Sequence, residues 1–201
     1  MNLKKQSAIL KNINMKLIII LFFILSISKN CYSQDVILKD LDNDTIKDEI
    51  LFDRTNSQII CKLSSQNLIP IKSKKLEDIS DVAGIKLTKN GFQFYNHIMR
   101  SGYYCQFRYN TKQKKIELIG MSRYNLGDAQ RNGIGQSSVN LLTNKYVGDW
   151  SRFDIKSKKE IKIPTVTKPY IIKKVYLEEF SLKQPDDFIE FCYNQTLSQY
   201  E

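Results

Sequence analysis

The sequence predicts a mainly β protein, an antiparallel meander closed by one C-terminal α-helix. Three observations carry that prediction. Short runs of alternating β-branched and aromatic residues, separated by turn signals, fill most of the chain. Long helical periodicity is absent from that part. Near the end, Phe188, Ile189, Phe191, Cys192 and Leu197 share one helical face. Pro185 there suits a first helical turn, and Asp186-Asp187 suit the positive end of a helix dipole, so a helix is expected over about 185–199.

The first 33 residues read as a targeting segment rather than as part of the fold. Lys16 precedes an unbroken apolar run over 17–25, and small Ser33 follows a polar stretch, the pattern of a signal peptide cleaved after Ser33. The run is shorter than the about 20 apolar residues a membrane span needs. Met15 is an alternative start that places a lysine directly before the run. Acylation at Cys31 is the competing expectation, but Ser28 and Asn30 stand where a lipobox wants Leu and a small residue. The expected location is therefore secreted or periplasmic. Residues 34–201 have the length of one domain, large enough for a real core.

Charge supports that division. The formal net charge is +10, and the five lysines and no acids of the first 33 residues leave +5 for the remainder. Lysine clusters at Lys74-Lys75, 112–115, 156–159 and Lys173-Lys174 adjoin turn residues or strand ends and read as solvated tips. No aromatic platform interleaves them, so nucleic acid is not an expected partner. Cys61, Cys105 and Cys192 follow the targeting segment. A bridge between Cys61 and Cys105, both in strand-like runs, stays open, and no Cys/His cluster suggests zinc.

Within the domain, Ile50-Leu51-Phe52 and the run 58–63 make the first expected strand pair. Ile85 and Leu87 alternate with polar residues, Asn90-Gly91 signals a tight turn, and Phe92 and Phe94 resume the alternation. Tyr103, Cys105, Phe107 and Tyr109 share a face opposite Tyr104, Gln106 and Arg108, and a turn at 110–112 leads into Ile116 and Leu118. Residues 125–137 break the pattern with three glycines and read as a surface loop. Asn125, Asp128, Arg131 and Gln136 are its candidate partner-binding residues. Further strands are expected over 139–147 and 161–163, with a last one in Tyr170-Ile171-Ile172 and Val175-Tyr176.

The strongest chemical signal is Asp40-Leu41-Asp42-Asn43-Asp44-Thr45-Ile46-Lys47-Asp48. Asp40, Asp42, Asp44 and Asp48 occupy loop positions 1, 3, 5 and 9, and the Ile46 carbonyl can add an oxygen, so alternate groups converge on one hard cation such as Ca²⁺. Thr45 stands where a Ca²⁺ loop wants glycine, and Leu51 stands where an EF-hand has its bidentate Glu. Those departures exclude an EF-hand sensor and leave a structural, extracellular-type site.

This acidic loop resembles the D-x-D-x-D-x-x-x-D loops of FG-GAP and related β-propeller calcium repeats. It also looks like the calcium loop of bacterial periplasmic lysozyme inhibitors. Asp40, Asp42, Asp44 and Asp48 carry the likeness, and Thr45 departs from it. The runs Phe107-Arg108-Tyr109-Asn110, Leu118-Ile119-Gly120 and 138–143 are similar to a strand–turn–strand–loop–strand run of secreted proteins in the same group. The resemblance implies a small propeller-like fold, structural Ca²⁺, and a protein partner that is a lysozyme-like enzyme. Ser101-Gly102-Tyr103-Tyr104 resembles a Ser-Gly inhibitory loop of another inhibitor family, a match short enough to arise by chance.

Catalysis has little support in the residues. His97 is the only histidine, and Gly133-Ile134-Gly135-Gln136-Ser137 lacks the nucleophile-elbow spacing. Phosphate-cradling loops are absent. The sequence therefore favours an exported, non-enzymatic binding protein. Its rivals are a secreted glycan-acting hydrolase, whose acids would converge only on folding, and a structural envelope protein.

Overall fold

The computed structural model describes residues 36–129, 133–154 and 156–196. The expected targeting segment lies outside the described residues. Mainly β architecture with one C-terminal helix is what the chain adopts, in two open antiparallel sheets. Among the described residues there is no closed barrel or propeller, and no helix is long and apolar enough to cross a membrane.

The smaller sheet runs Ile37–Lys39 (β1), Asp48–Asp53 (β2), Gln58–Lys62 (β3) and Pro70–Lys72 (β4), each pairing with the next. Pro70 sits at the start of an edge strand, a position that tolerates a residue with no N–H. The larger sheet holds Gly84–Thr88 (β5), Gly91–Ile98 (β6), Ser101–Asn110 (β7), Lys115–Leu126 (β8), Ile134–Asn140 (β9), Lys145–Asp154 (β10), Lys159–Lys162 (β11) and Val166–Pro169 (β12). Order follows sequence from β5 to β11, and β12 pairs with β10.

Alternation decides which side of this sheet is dry. Phe92 and Phe94 on β6, Cys105 and Phe107 on β7, Met121 on β8 and Val139 on β9 all face the core, where they meet Ile50, Phe52 and Ile59 of the smaller sheet. Ring packing is dense: Phe92 and Phe107 stack at 5.2 Å, and Phe180 meets Phe107 edge-on at 5.0 Å. Cys61 and Cys105 are both buried and not bridged to one another, which answers the question the sequence left open, and Cys192 is buried as well.

The helix Lys183–Thr196 (α1) begins two residues before the expected start; residues 197–199 lie outside the described residues. A reciprocal cap explains the shift. Ser181 Oγ accepts from the Lys183 N–H at 3.3 Å, while Gln184 Oε1 accepts from the Ser181 N–H at 2.8 Å. Pro185 then falls in the first turn, where its missing N–H goes unmissed. Phe188 is fully buried against the rings of Tyr170 and Tyr146, at 5.7 and 6.3 Å.

Three expectations need correction. The tight turn at Asn90-Gly91 sits one residue earlier: Thr88 pairs with Gly91, so Lys89 and Asn90 are its central residues. Gly91 is required for a different reason. Its φ is +152°, and a Cβ there would strike the Phe107 carbonyl on β7. The expected 125–137 loop is shorter at both ends, because β8 continues to Leu126 and β9 begins at Ile134, which leaves 127–133 as the connection. Ser137 misled the pattern: it is buried, bonded to Trp150 Nε1 at 2.7 Å and Tyr146 Oη at 2.9 Å. The last strand is β12, ahead of the expected 170–176.

Residues 170–176 instead form an extended strap. The Tyr170 N–H donates to Asn144 O and the Leu118 N–H to Val175 O, and Tyr176 bridges Glu117. Strand β9 pairs with β8 only from Gly120 onward, so the strap satisfies backbone groups that β9 leaves unpaired. The chain then makes a 3-10 turn at Leu177–Glu179, and the Lys74 N–H beyond β4 donates to Phe180 O.

Candidate metal site and the outer sheet face

The acidic loop links β1 to β2 and folds around its own carboxylates. Asp40 Oδ1 accepts from the Asn43 N–H at 2.7 Å and Oδ2 from the Thr45 N–H at 3.1 Å. Asp42 Oδ1 accepts from the Asp44 N–H at 3.2 Å, and Asp44 Oδ1 from the Ile46 N–H at 2.8 Å. These local bonds substitute for secondary structure across the turn. Thr45 holds φ +75° and Asn43 φ +65°, so the backbone makes the sharp turn that glycine would make, with a β-branched residue in place.

Asp48 is the loop's anchor. It is fully buried at the head of β2, with Oδ2 accepting from the Leu41 N–H at 2.7 Å and Oδ1 from the Ser64 N–H at 2.8 Å. Ser64 opens the 3-10 turn Ser64–Gln66 after β3, so Asp48 ties both ends of the first hairpin together. Ser64 Oγ lies 2.8 Å from Asp44 Oδ2 and 3.0 Å from Asp48 Oδ1, and its single hydrogen serves one of them at a time. Ser65 Oγ donates to Asp42 Oδ2. Neither serine is a candidate from the sequence, because a serine at a strand end carries no distinctive spacing.

Asp40, Asp42 and Asp48 each bring an oxygen within 4.8 Å of the other two, a group that could hold a metal ion. Asp44 falls outside that group. The Ile46 side chain is exposed, so its carbonyl is the group it can offer. All the donors are hard oxygens, which fits Ca²⁺ or Mg²⁺ and excludes a soft-metal site. Burial, with Asp48 and Asp42 close by, pushes the Cys61 thiol strongly upward, so it stays protonated beside the loop.

A cleft of about 580 Å³ opens beside the loop, walled by Asp40, Lys39, Lys89, Arg108, Tyr109 and Lys112. Lys39 Nζ donates to the carbonyls of Thr88, Lys89 and Gly91, clamping the β5–β6 turn against the loop. The lysine clusters named from sequence are exposed, as expected of solvated tips.

The four partner-binding candidates separate. Asn125 lies within β8, where its side chain accepts from the Gly127 N–H at 2.9 Å. Asp128 is exposed in the β8–β9 connection, and Arg131 lies outside the described residues. Gln136 is exposed on β9, between Tyr124 of β8 and Asp149 of β10. There it lines a depression of about 460 Å³ on the outer face of the larger sheet. The Ser101–Tyr104 stretch lies in β7, paired on both sides, and does not protrude. His97 sits on β6 facing outward, with Nδ1 2.8 Å from Tyr124 Oη, on the opposite side of the sheet from Cys105. No family model matches the chain, and no curated protein or solved structure matches it either.

Proposed function

We propose that this is an exported, non-enzymatic binding protein in which the 40–48 loop holds a structural Ca²⁺. The observation that carries the reading is the convergence of Asp40, Asp42 and Asp48 at the junction where Asp48 ties the loop to Ser64. Three carboxylates so close repel one another, and a divalent cation relieves that repulsion. Asp40 and Asp42 would supply the exposed side of the shell, with Asp48 at the buried side and the Ile46 carbonyl completing the protein ligands. Bound Ca²⁺ would add cross-linking strength to a turn already shaped by its own backbone.

The four-stranded meander β1–β4, headed by this loop, has the strand count of one propeller blade, and we read it as a blade-like unit joined to a larger open sheet. The partner we assign is a lysozyme-like enzyme, as the loop's resemblance implies, contacted through the edge around Asn125, Asp128 and Gln136.

Two measurements test this. Melting the purified protein with millimolar Ca²⁺ and with chelator should separate the midpoints by about 1–6 °C, the shift for a site of about 10⁻⁴–10⁻³ M. Asp42→Asn should shrink that shift. Coincident midpoints remove the calcium site. For the partner, the purified protein should slow lysis of a cell-wall suspension by lysozyme, and an unchanged rate removes that assignment.

A further inference from the structure

We propose that the outer face of the larger sheet binds a neutral oligosaccharide. Four rings form a continuous patch there: Tyr95 and His97 from β6, Tyr104 from β7 and Tyr124 from β8. Their centroids are 5.0 Å apart for Tyr95–His97, 5.5 Å for His97–Tyr104, 5.8 Å for His97–Tyr124 and 6.2 Å for Tyr104–Tyr124. All four are half-buried and none belongs to the core.

The rings lie down on the sheet. Side chains on a strand ordinarily stand away from it. Here two glycines leave room for the rings to fold over the backbone. A Cβ at Gly84 would stand 2.7 Å from Tyr95 Oη, and one at Gly102 would stand 2.8 Å from Tyr124 Cε1 and 2.9 Å from His97 Nδ1. The His97–Tyr124 hydrogen bond fixes two of the rings relative to one another. The outcome is a pre-ordered aromatic floor, which lowers the ordering cost of binding.

Polar groups border the floor on one side. The depression beside Tyr104 and Tyr124 is lined by Ser122, Gln136, Ser138 and Asp149, and its volume of about 460 Å³ lies within the range of small-ligand sites. The ligand that matches has a flat apolar C–H face for the rings and hydroxyls at its edge for amide, hydroxyl and carboxylate partners. A pyranose has both.

Charge decides against the competing stacked ligand. A single-stranded nucleic acid needs a basic groove alongside the aromatic floor. Among the described residues, Lys86, 4.5 Å from the Tyr104 ring, and Arg123, which lines the depression, are the cations beside these rings. Arg123 is turned to the Ile189 carbonyl at 3.1 Å and the Trp150 ring, so no basic groove follows the floor. Asp149 is held by Lys162 Nζ at 3.2 Å and Thr165 Oγ1 at 3.3 Å. Among the described residues it is also the one carboxylate lining that depression, whereas glycoside hydrolysis uses a pair. The face is built to hold a sugar chain and leave it intact.

The inference rests on the reading of the chain as a binding protein and adds a glycan ligand to the protein partner proposed above. The test is calorimetric titration of the purified protein with cellotetraose and chitotetraose, with oligothymidine as a counter-probe. At least one tetrasaccharide should bind with a dissociation constant on the order of 10⁻⁴ M. Tyr104→Ala and Tyr124→Ala should each weaken it about tenfold or more at unchanged circular dichroism, while Tyr104→Phe retains it. Gln136→Ala, at an exposed position, reports on the same depression should a tyrosine variant misfold. Absence of binding by both sugars at millimolar concentration overturns the proposal, as does binding insensitive to these substitutions. Oligothymidine binding that depends on Tyr104 while the sugars fail also overturns it. A calcium-dependent midpoint shift that persists through such a failure leaves the broader reading standing; loss of that shift counts against the calcium clasp alone.

Discussion

Thr45 holds φ +75° at the sharpest point of the acidic loop. The left-handed region costs an L-residue about 1–2 kcal/mol, and β-branching adds to the crowding. Thr45→Gly relieves that strain but loosens the unfolded chain by about 0.4–1 kcal/mol. The expected net effect is a gain of under about 1 kcal/mol in urea unfolding at constant m-value. A loss would show that Thr45 contributes contacts that outweigh its backbone strain. The acidic residues were legible because carboxylates at fixed alternation repel one another and so point directly to a cation. Their partners Ser64 and Ser65 were not, since they arrive from the next hairpin and a serine hydroxyl has no periodic signature. The same holds for the outer rings: Tyr95, His97, Tyr104 and Tyr124 become one patch only when three strands are in register.

Among elements, the β5–β6 hairpin and its neighbour β7 show how close approach overrides turn statistics. Gly91 is paired with Thr88 at the end of the turn, and the space a Cβ needs is filled by the Phe107 carbonyl. Gly91→Ala is therefore expected to cost about 2–3 kcal/mol, more than an ordinary strand glycine, because backbone must move. Thermal melting checks this, and a change within about 0.5 kcal/mol would mean that β6 and β7 separate easily. Helix α1 makes a second case. Its apolar stripe was readable from spacing alone, and Phe188 fills the gap between Tyr146 and Tyr170. Phe188→Ala should destabilise by about 3–5 kcal/mol, measured by chemical denaturation. Strand β9 escaped the sequence pattern for the opposite reason: Ser137 turns inward to bond Trp150 and Tyr146, so a polar residue occupies a core position.

For the molecule as a whole, stability has an alkaline limit set by buried acids. Burial pushes the Cys192 thiol up to about 11 and the Tyr170 phenol up to about 12. Cys61 and Cys105 are driven higher still by desolvation. Each group keeps its proton in the folded state after the unfolded chain would release it. Stability is then complete below the thiol's ordinary value near 9 and falls as pH rises toward and through the folded values. The melting temperature should drop between about pH 9 and 11, and Cys192→Ala should flatten that slope. An equal slope in the variant would assign the loss to other groups. Antiparallel pairing and the order of the strands were readable at this scale, since neighbouring strands joined by short turns pair in sequence. The strap was not, because its apolar residues look like one more strand.

That strap sets when the protein can become itself. Tyr170 of the strap, and Leu177, Phe180, Phe188 and Cys192 that follow it, belong to the same buried cluster as Ile50 and Phe94 and are the last of that cluster to be synthesised. Until they emerge, a nascent chain lacks the part of the core in which Phe180 meets Phe94 and Phe107 and Phe188 meets Tyr146. Native structure waits on contacts between the two ends of the sequence, which makes folding slow for its size and largely post-translational. In the exported protein we propose, such late closure would keep the chain threadable until translocation is complete.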